Sequence, residues 1–110
     1  MKTFTYKSRY CTEDNCHFEV GRYTDNHNLA IRVMSEIGET ISTITVNAGK
    51  RCPDDIIFIK DYSENEGVYE WLVEMNMIEA DPVDMVPSGW VILRSYKLTD
   101  TCKEMLGLGD

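Results

Sequence analysis

Two neighbouring segments restrict this chain's folding choices more than any other part of it. In Leu29–Met34, Leu29, Ile31 and Val33 share one face while Ala30, Arg32 and Met34 share the other, the period of two that belongs to a β-strand. Thr40 to Asn47 is rich in Thr, Ile and Val, the residues that suit a pleated surface. Between them Ser35-Glu36-Ile37-Gly38-Glu39 supplies a glycine for a tight turn, so the two segments read as an antiparallel hairpin.

The rest of the chain adds strands and one principal helix. Phe4 and Tyr6 alternate with Thr5 and Lys7 in a first short strand, Asp14-Asn15 reads as a turn, and Phe18, Val20 and Arg22 alternate with Glu19 and Tyr23 in a second. Thr24-Asp25-Asn26-His27-Asn28 is turn chemistry. Ile56-Ile57-Phe58-Ile59 is a continuous apolar run that suits a strand buried on both faces. Ser63-Glu64-Asn65-Glu66 has the spacing of a capping box and starts a helix near residue 64. Val68, Trp71, Leu72 and Met75 give that helix its buried face, and Asn76 is its left-handed cap. Pro82 and Pro87-Ser88-Gly89 punctuate a loop, Trp90 to Leu98 reads as a last long strand, and Thr101-x-x-Glu104 caps a short helical turn ending at Gly107. The expectation is one α+β domain over residues 1–110: an antiparallel sheet of about five strands, one amphipathic helix packed on it, and a short C-terminal helical turn.

Charge is distributed unevenly over this plan. Ten carboxylates and one lysine lie between Asp54 and Asp84, a local net charge of -9 in a chain whose total is -8; residues 1–53 carry +1 and residues 85–110 carry none. Such a concentration of one sign addresses a basic partner. It argues against nucleic-acid binding, which needs clustered Lys and Arg, and against a membrane surface, since Lys50-Arg51 is the only adjacent basic pair. No apolar stretch approaches the roughly 20 residues that cross a bilayer. The N-terminal run from Met1 to Tyr6 alternates polar and aromatic residues where a secretory leader needs an apolar block of about 7, so a cytoplasmic location is expected.

Within the acidic stretch, Glu66, Glu70 and Glu74 fall four apart and form a stripe opposite the apolar face. The stripe is either the wetted side of an amphipathic helix or a functional surface. Like charges at this spacing cost about 0.2–0.5 kcal/mol per pair. Asp61 and Glu64 at the N-terminal end gain from the helix dipole. Glu79, Asp81 and Asp84 extend the charge past the helix, where no dipole favours them. These eight residues, Asp61, Glu64, Glu66, Glu70, Glu74, Glu79, Asp81 and Asp84, are the candidate partner-binding set. Met75, Met77, Ile78 and Met85 form either a pliable contact patch or part of the core, and Trp90 after Pro87-Ser88-Gly89 is either an exposed anchor or, as is usual for Trp at a strand start, packed; packing is expected.

Catalytic and metal chemistry find little support. His17 and His27 are the only histidines, Cys16 and His17 diverge on an extended segment, and no nucleophile elbow or glycine-rich phosphate loop occurs. Pro53-Asp54 resembles the opening of a nuclease metal motif, but the later lysines are preceded at the required offset by Phe58, Ser95 and Thr101. Cys11-x4-Cys16-His17 loosely meets the first half of a zinc site, yet Cys52 and Cys102 stand alone and no second pair follows. No enzyme, cofactor or metal is expected, and the cysteines read as small buried hydrophobes.

At Asn28-Leu29-Ala30-Ile31-Arg32-Val33, Gly38-Glu39 and Thr43-Ile44-Thr45-Val46-Asn47 the chain resembles a family of small proteins of unknown function encoded on conjugative elements and phages of gut Gram-positive bacteria. Glu70-Trp71-Leu72 and Pro87-Ser88-Gly89 leading into Tyr96 extend the resemblance over residues 28–98; the N-terminal part with Cys11, Cys16 and His17 is less typical. The resemblance carries no catalytic residues. It implies a bacterial host cell as the setting and, among small acidic proteins of mobile elements, inhibition of host defence, including anti-CRISPR proteins that occupy a basic nucleic-acid channel. The expected function is thus a non-enzymatic acidic inhibitor of a Cas9-type nucleoprotein that binds a basic protein or ribonucleoprotein surface. The competing expectation is an accessory interaction module that binds through its sheet or an edge strand.

Overall fold

The computed structural model describes residues 3–108. Met1 and Lys2, which open the alternating N-terminal run, lie outside the described residues. The elements are β1 (Phe4–Lys7), β2 (Thr12–Arg22), β3 (Leu29–Met34), β4 (Thr40–Thr43), β5 (Ile56–Ile59), a 3-10 turn (Ser63–Asn65), α1 (Val68–Glu74), β6 (Asp84–Ser88), β7 (Val91–Lys97) and α2 (Asp100–Leu106). They form an antiparallel sheet in the order β1-β2-β3-β4 and a second in the order β5-β7-β6. The α+β class with antiparallel pairing holds. A single five-stranded sheet under one helix does not, because two segments behave differently from their local pattern.

The first is Thr40–Asn47, which is one strand by composition and, in space, the short strand β4 followed by a single isolated bridge. The Ile44 amide still donates to the Ile31 carbonyl at 3.0 Å, but the Ile31 amide donates to the Thr45 side-chain Oγ1 at 3.1 Å. A side chain has replaced a carbonyl in the ladder, and the backbone of residues 44–46 is released to pair elsewhere. The Val46 amide donates to Phe58 O at 3.0 Å and the Lys60 amide to Ile44 O at 2.8 Å, so an isolated Thr45–Ile59 bridge stitches the two sheets together.

The second is Asp84–Ser88, expected as loop because of Pro87. Ser88 pairs with Val91 across the two-residue turn Gly89-Trp90. In such a hairpin the closing pair is hydrogen-bonded, so the alternation of an antiparallel ladder makes Val86–Leu93 and Asp84–Ser95 hydrogen-bonded and leaves Met85–Arg94 and Pro87–Ile92 without ladder bonds. Pro87 therefore sits where its missing N–H faces outward, on the edge strand of its sheet. Gly89 takes φ 59° at the first turn position, the place where this turn favours glycine.

Three smaller expectations are also corrected. Asp14-Asn15 is no turn: β2 runs through it, with the β1–β2 register moving from Phe4–Cys16 to Tyr6–Glu13 and Asn15 in the left-handed region at φ 58°. One residue of β1, Thr5, thus faces two of β2, Asp14 and Asn15, a bulge. Ser63 caps nothing and itself has φ 58°; the helix begins four residues later than expected, at Val68. At the C-terminal helix the cap is Thr99, whose Oγ1 accepts from the Cys102 amide at 3.1 Å, and not Thr101. The expected ends hold. Asn76 has φ 57°, with Met77 N donating to Leu72 O at 2.9 Å and Asn76 N to Val73 O at 3.0 Å, a Schellman closure; Gly107 ends α2 with φ 72°.

The main core brings both sheets and both helices together. Tyr6, Ile31, Val33, Ile44, Val68, Leu72 and Leu98 are fully enclosed, and Ile57, Ile59 and Tyr96 face the same interior from the second sheet. Trp71 is at its aromatic centre, with ring centroids 5.5 Å from Phe4 and 5.1 Å from Tyr6, and its Nε1–H donates to Thr5 O at 2.9 Å across the outer edge of β1. The opposite face of the second sheet carries a smaller cluster of Cys52, Phe58 and Leu93, so β5 is buried on both faces as its unbroken apolar run requires. Among the described residues no helix is long and apolar enough to cross a membrane.

Candidate functional site

Helix α1 and strand β1 enclose an open groove of about 500 Å³ lined by Lys7, Arg9, Asp61, Glu66, Glu70 and Glu74, with Trp71 beneath. The close approach of the two elements depends on Gly67. Its φ is 97°, and a Cβ there would lie 3.0 Å from the Arg9 backbone nitrogen, which donates to Glu66 O at 2.6 Å. The sequence thus positions α1 against the sheet edge by a backbone contact that a Cβ at this position would crowd, on a backbone angle that strains any other residue.

The eight candidate carboxylates divide into two groups. Four are engaged within the molecule. Asp61 Oδ1 accepts from the amides of Gly67 at 3.0 Å and Tyr69 at 3.2 Å and so does the capping assigned to Ser63. Burial pushes the Asp61 carboxyl above its usual range despite those bonds, with Glu70 adding to the rise. Glu64 bonds Lys60, which lowers its carboxyl to about 2. Glu66 precedes α1 instead of sitting in it; it pairs with Arg9 at 3.1 Å and accepts from the Tyr10 hydroxyl at 3.0 Å, which raises the Tyr10 phenol. Asp84 bonds Lys50, which lowers its carboxyl, and this pair borders a different, apolar pocket floored by Ile56 and Phe58.

The other four, Glu70, Glu74, Glu79 and Asp81, are exposed and make no ion pair or side-chain hydrogen bond among the described residues. Glu70 and Glu74 are the only i,i+4 acidic pair that survives from the expected stripe, since Glu66 lies outside the helix. Glu79 and Asp81 belong to the connection from α1 to β6, and the Tyr69 hydroxyl donates to Ala80 O at 2.7 Å, holding that connection against the helix. An unpaired acidic ridge therefore runs from the groove onto the connection.

The β6–β7 hairpin carries an apolar feature for which the sequence favours packing over an exposed anchor. Trp90, expected to pack, projects from the hairpin tip with a relative exposure of 105%, and Met85 at 57% and Ile92 at 53% are exposed behind it. The signal was present in Pro87-Ser88-Gly89-Trp90, where glycine at the first turn position puts tryptophan at the second. The expected methionine patch is broken up: Met77 and Ile78 are core, Met75 is half-buried, and only Met85 is outside.

The cysteines are dispersed. Cys16 donates weakly to Glu13 O at 3.4 Å within the main core, Cys52 belongs to the smaller cluster, and Cys102 is on the buried face of α2, where burial pushes its thiol up to about 12. Among the described residues no three His, Cys, Asp or Glu side chains converge as metal ligands. Compared with models of known families, with curated proteins and with solved structures, the chain matches none of them.

Proposed function

We propose that this protein is a non-enzymatic binding protein that presents the ridge of Glu70, Glu74, Glu79 and Asp81 to a basic protein or ribonucleoprotein surface and blocks nucleic acid from reaching it. The single observation that carries the reading is that these four carboxylates are left unpaired while the other four candidates are matched by Arg9, Lys50, Lys60 and backbone amides. A fold that neutralises some of its acids and leaves a neighbouring set bare retains a local field, and such a field steers association with a positively charged partner. Taken with the resemblance to proteins of mobile elements, the basic surface is that of a Cas9-type nuclease, and the protein acts as an anti-CRISPR inhibitor. The site is narrower than the sequence set: Asp61, Glu64, Glu66 and Asp84 serve the fold.

The test is competition. Guide-loaded Cas9 is incubated with the protein, and target-DNA binding is measured at low and moderate salt. Inhibition that weakens with salt and is lost in the Glu70→Lys, Glu74→Lys variant is expected; undiminished target-DNA binding at saturating protein removes the Cas9 assignment. The accessory-module alternative gains a specific observation in the exposed hairpin, and predicts association that charge reversal leaves intact.

A further inference from the structure

The β6–β7 hairpin exposes a tryptophan completely, at a two-residue turn, and Met85, Pro87 and Ile92 share one face of the hairpin behind it. Tryptophan is the residue most enriched where interfaces concentrate their energy, because one side chain carries about 150–250 Å² of rigid surface. The edge beside it is closed to strand addition. The Met85 amide, which faces outward, donates to its neighbour Asp84 Oδ1 at 2.9 Å, and Pro87 has no amide to offer. Docking here proceeds through side chains and not through the backbone ladder.

The base of the hairpin adjoins the start of the acidic segment. Ile92 and Arg94 share a small cleft of about 50 Å³ with Asp61, Tyr62, Tyr69 and Tyr96, and Tyr69 is the residue that precedes Glu70 and holds the Glu79–Asp81 connection. Charge selects the occupant. A second copy of a chain with net charge -8 meets like charge, and so does an anionic lipid surface. A basic protein surface meets opposite charge from a chain of net charge -8.

We infer that the hairpin is the apolar anchor of the same interface: Trp90 enters an apolar pocket on the basic partner while the carboxylates of the ridge meet its Lys and Arg side chains. The anchor rests on the proposed function. It assigns affinity and slow dissociation to Trp90, and encounter and salt dependence to the carboxylates.

The test uses guide-loaded Cas9 as the probe, with Kd measured across a salt series for the full chain, for Trp90→Ala and for Glu70→Lys, Glu74→Lys. Trp90→Ala is expected to lower affinity by about 30-fold or more with an unchanged salt slope, whereas the charge reversals flatten the slope. Because the Trp90 side chain is fully exposed, a urea melt of the variant that overlays the wild type is expected and excludes misfolding as the cause. Wild-type binding with an unchanged Kd for Trp90→Ala overturns the anchor and leaves the proposed function standing; no wild-type binding overturns both. A Trp90-dependent dimer in sedimentation, or Trp90-dependent binding to phosphatidylcholine vesicles, also overturns the anchor by giving the tip another occupant.

Discussion

Glu74→Lys is expected to make the protein more stable while weakening its interaction with a basic partner. Glu74 is the last residue of α1, where the carbonyl end of the helix disfavours a carboxylate, and it stands one turn after Glu70. Removing the Glu70–Glu74 repulsion gains roughly 0.2–0.5 kcal/mol, and the attraction between Glu70 and the introduced lysine, in the better orientation of such a pair, gains a similar amount. Replacing an anion by a cation at this end of the dipole adds about 0.3–1 kcal/mol at an exposed position. Lys7 lines the same groove and repels the new cation, which takes back part of the sum, so a net gain of about 1 kcal/mol is expected, or about 4 °C in Tm for a domain of this size. Urea denaturation at low salt and at about 1 M salt reads it out. Because the Debye length shrinks to about 3 Å at 1 M, most of the gain disappears there. Unchanged or lower stability at low salt, or a gain indifferent to salt, refutes the claim that this carboxylate is unpaired and kept against the interest of the fold.

Three further outcomes follow from the same geometry. Asn65→Ala removes a buried amide whose Oδ1 accepts from Ser42 Oγ at 2.7 Å and whose Nδ2 donates to Thr43 O at 2.8 Å, so equilibrium unfolding is expected to show a loss of about 2–4 kcal/mol. Because burial raises the Asp61 carboxyl in the folded state, its contribution is fully present below its unfolded value and is lost as pH rises through the folded one. Asp61→Asn keeps the oxygen that caps α1 and drops the titration, so its stability, measured across the acid range up to neutrality, should rise relative to wild type with pH. Thiol labelling of the native protein should modify Cys11 first, with Cys16, Cys52 and Cys102 reacting only on denaturation; rapid native labelling of Cys102 contradicts its placement on the buried face of α2.

What was legible in the sequence is what is local. The period of Leu29–Met34, the glycine turn after it, the apolar run of β5, the buried face Val68-Trp71-Leu72 and the Asn76 cap all act within a few residues, and each is found where its pattern puts it. The Thr40–Asn47 segment misled because the event that splits it, Thr45 Oγ1 taking the Ile31 amide, couples residues 14 apart. Ser63 satisfied the capping pattern, but the amides at the start of α1 are taken by Asp61, which reaches Gly67 and Tyr69 from outside the motif's window. Pro87 argued for loop, and only the hairpin register shows that its missing amide is harmless there.

The same distinction separates the acids. Arg9 and Glu66 are 57 residues apart and Lys50 and Asp84 are 34 apart, so counting charge along the chain assigned to a partner what the fold neutralises itself. The Lys60–Glu64 pair, four residues apart, was within reach of a sequence argument. The remaining ridge is smaller than the sequence suggested and better defined, since each member is unpaired among the described residues. The groove it borders owes its shape to Gly67, whose left-handed backbone lets β1 and the start of α1 touch.

The most direct measurement of the central claim is the salt dependence of affinity for guide-loaded Cas9, compared between the wild type and a variant with Glu70, Glu74, Glu79 and Asp81 all replaced by Lys. A wild-type Kd that weakens steeply with salt, and a reversed variant that binds poorly at every salt concentration, is the predicted result. Tight binding by both proteins with the same shallow slope contradicts it, because the four carboxylates would then contribute nothing to recognition.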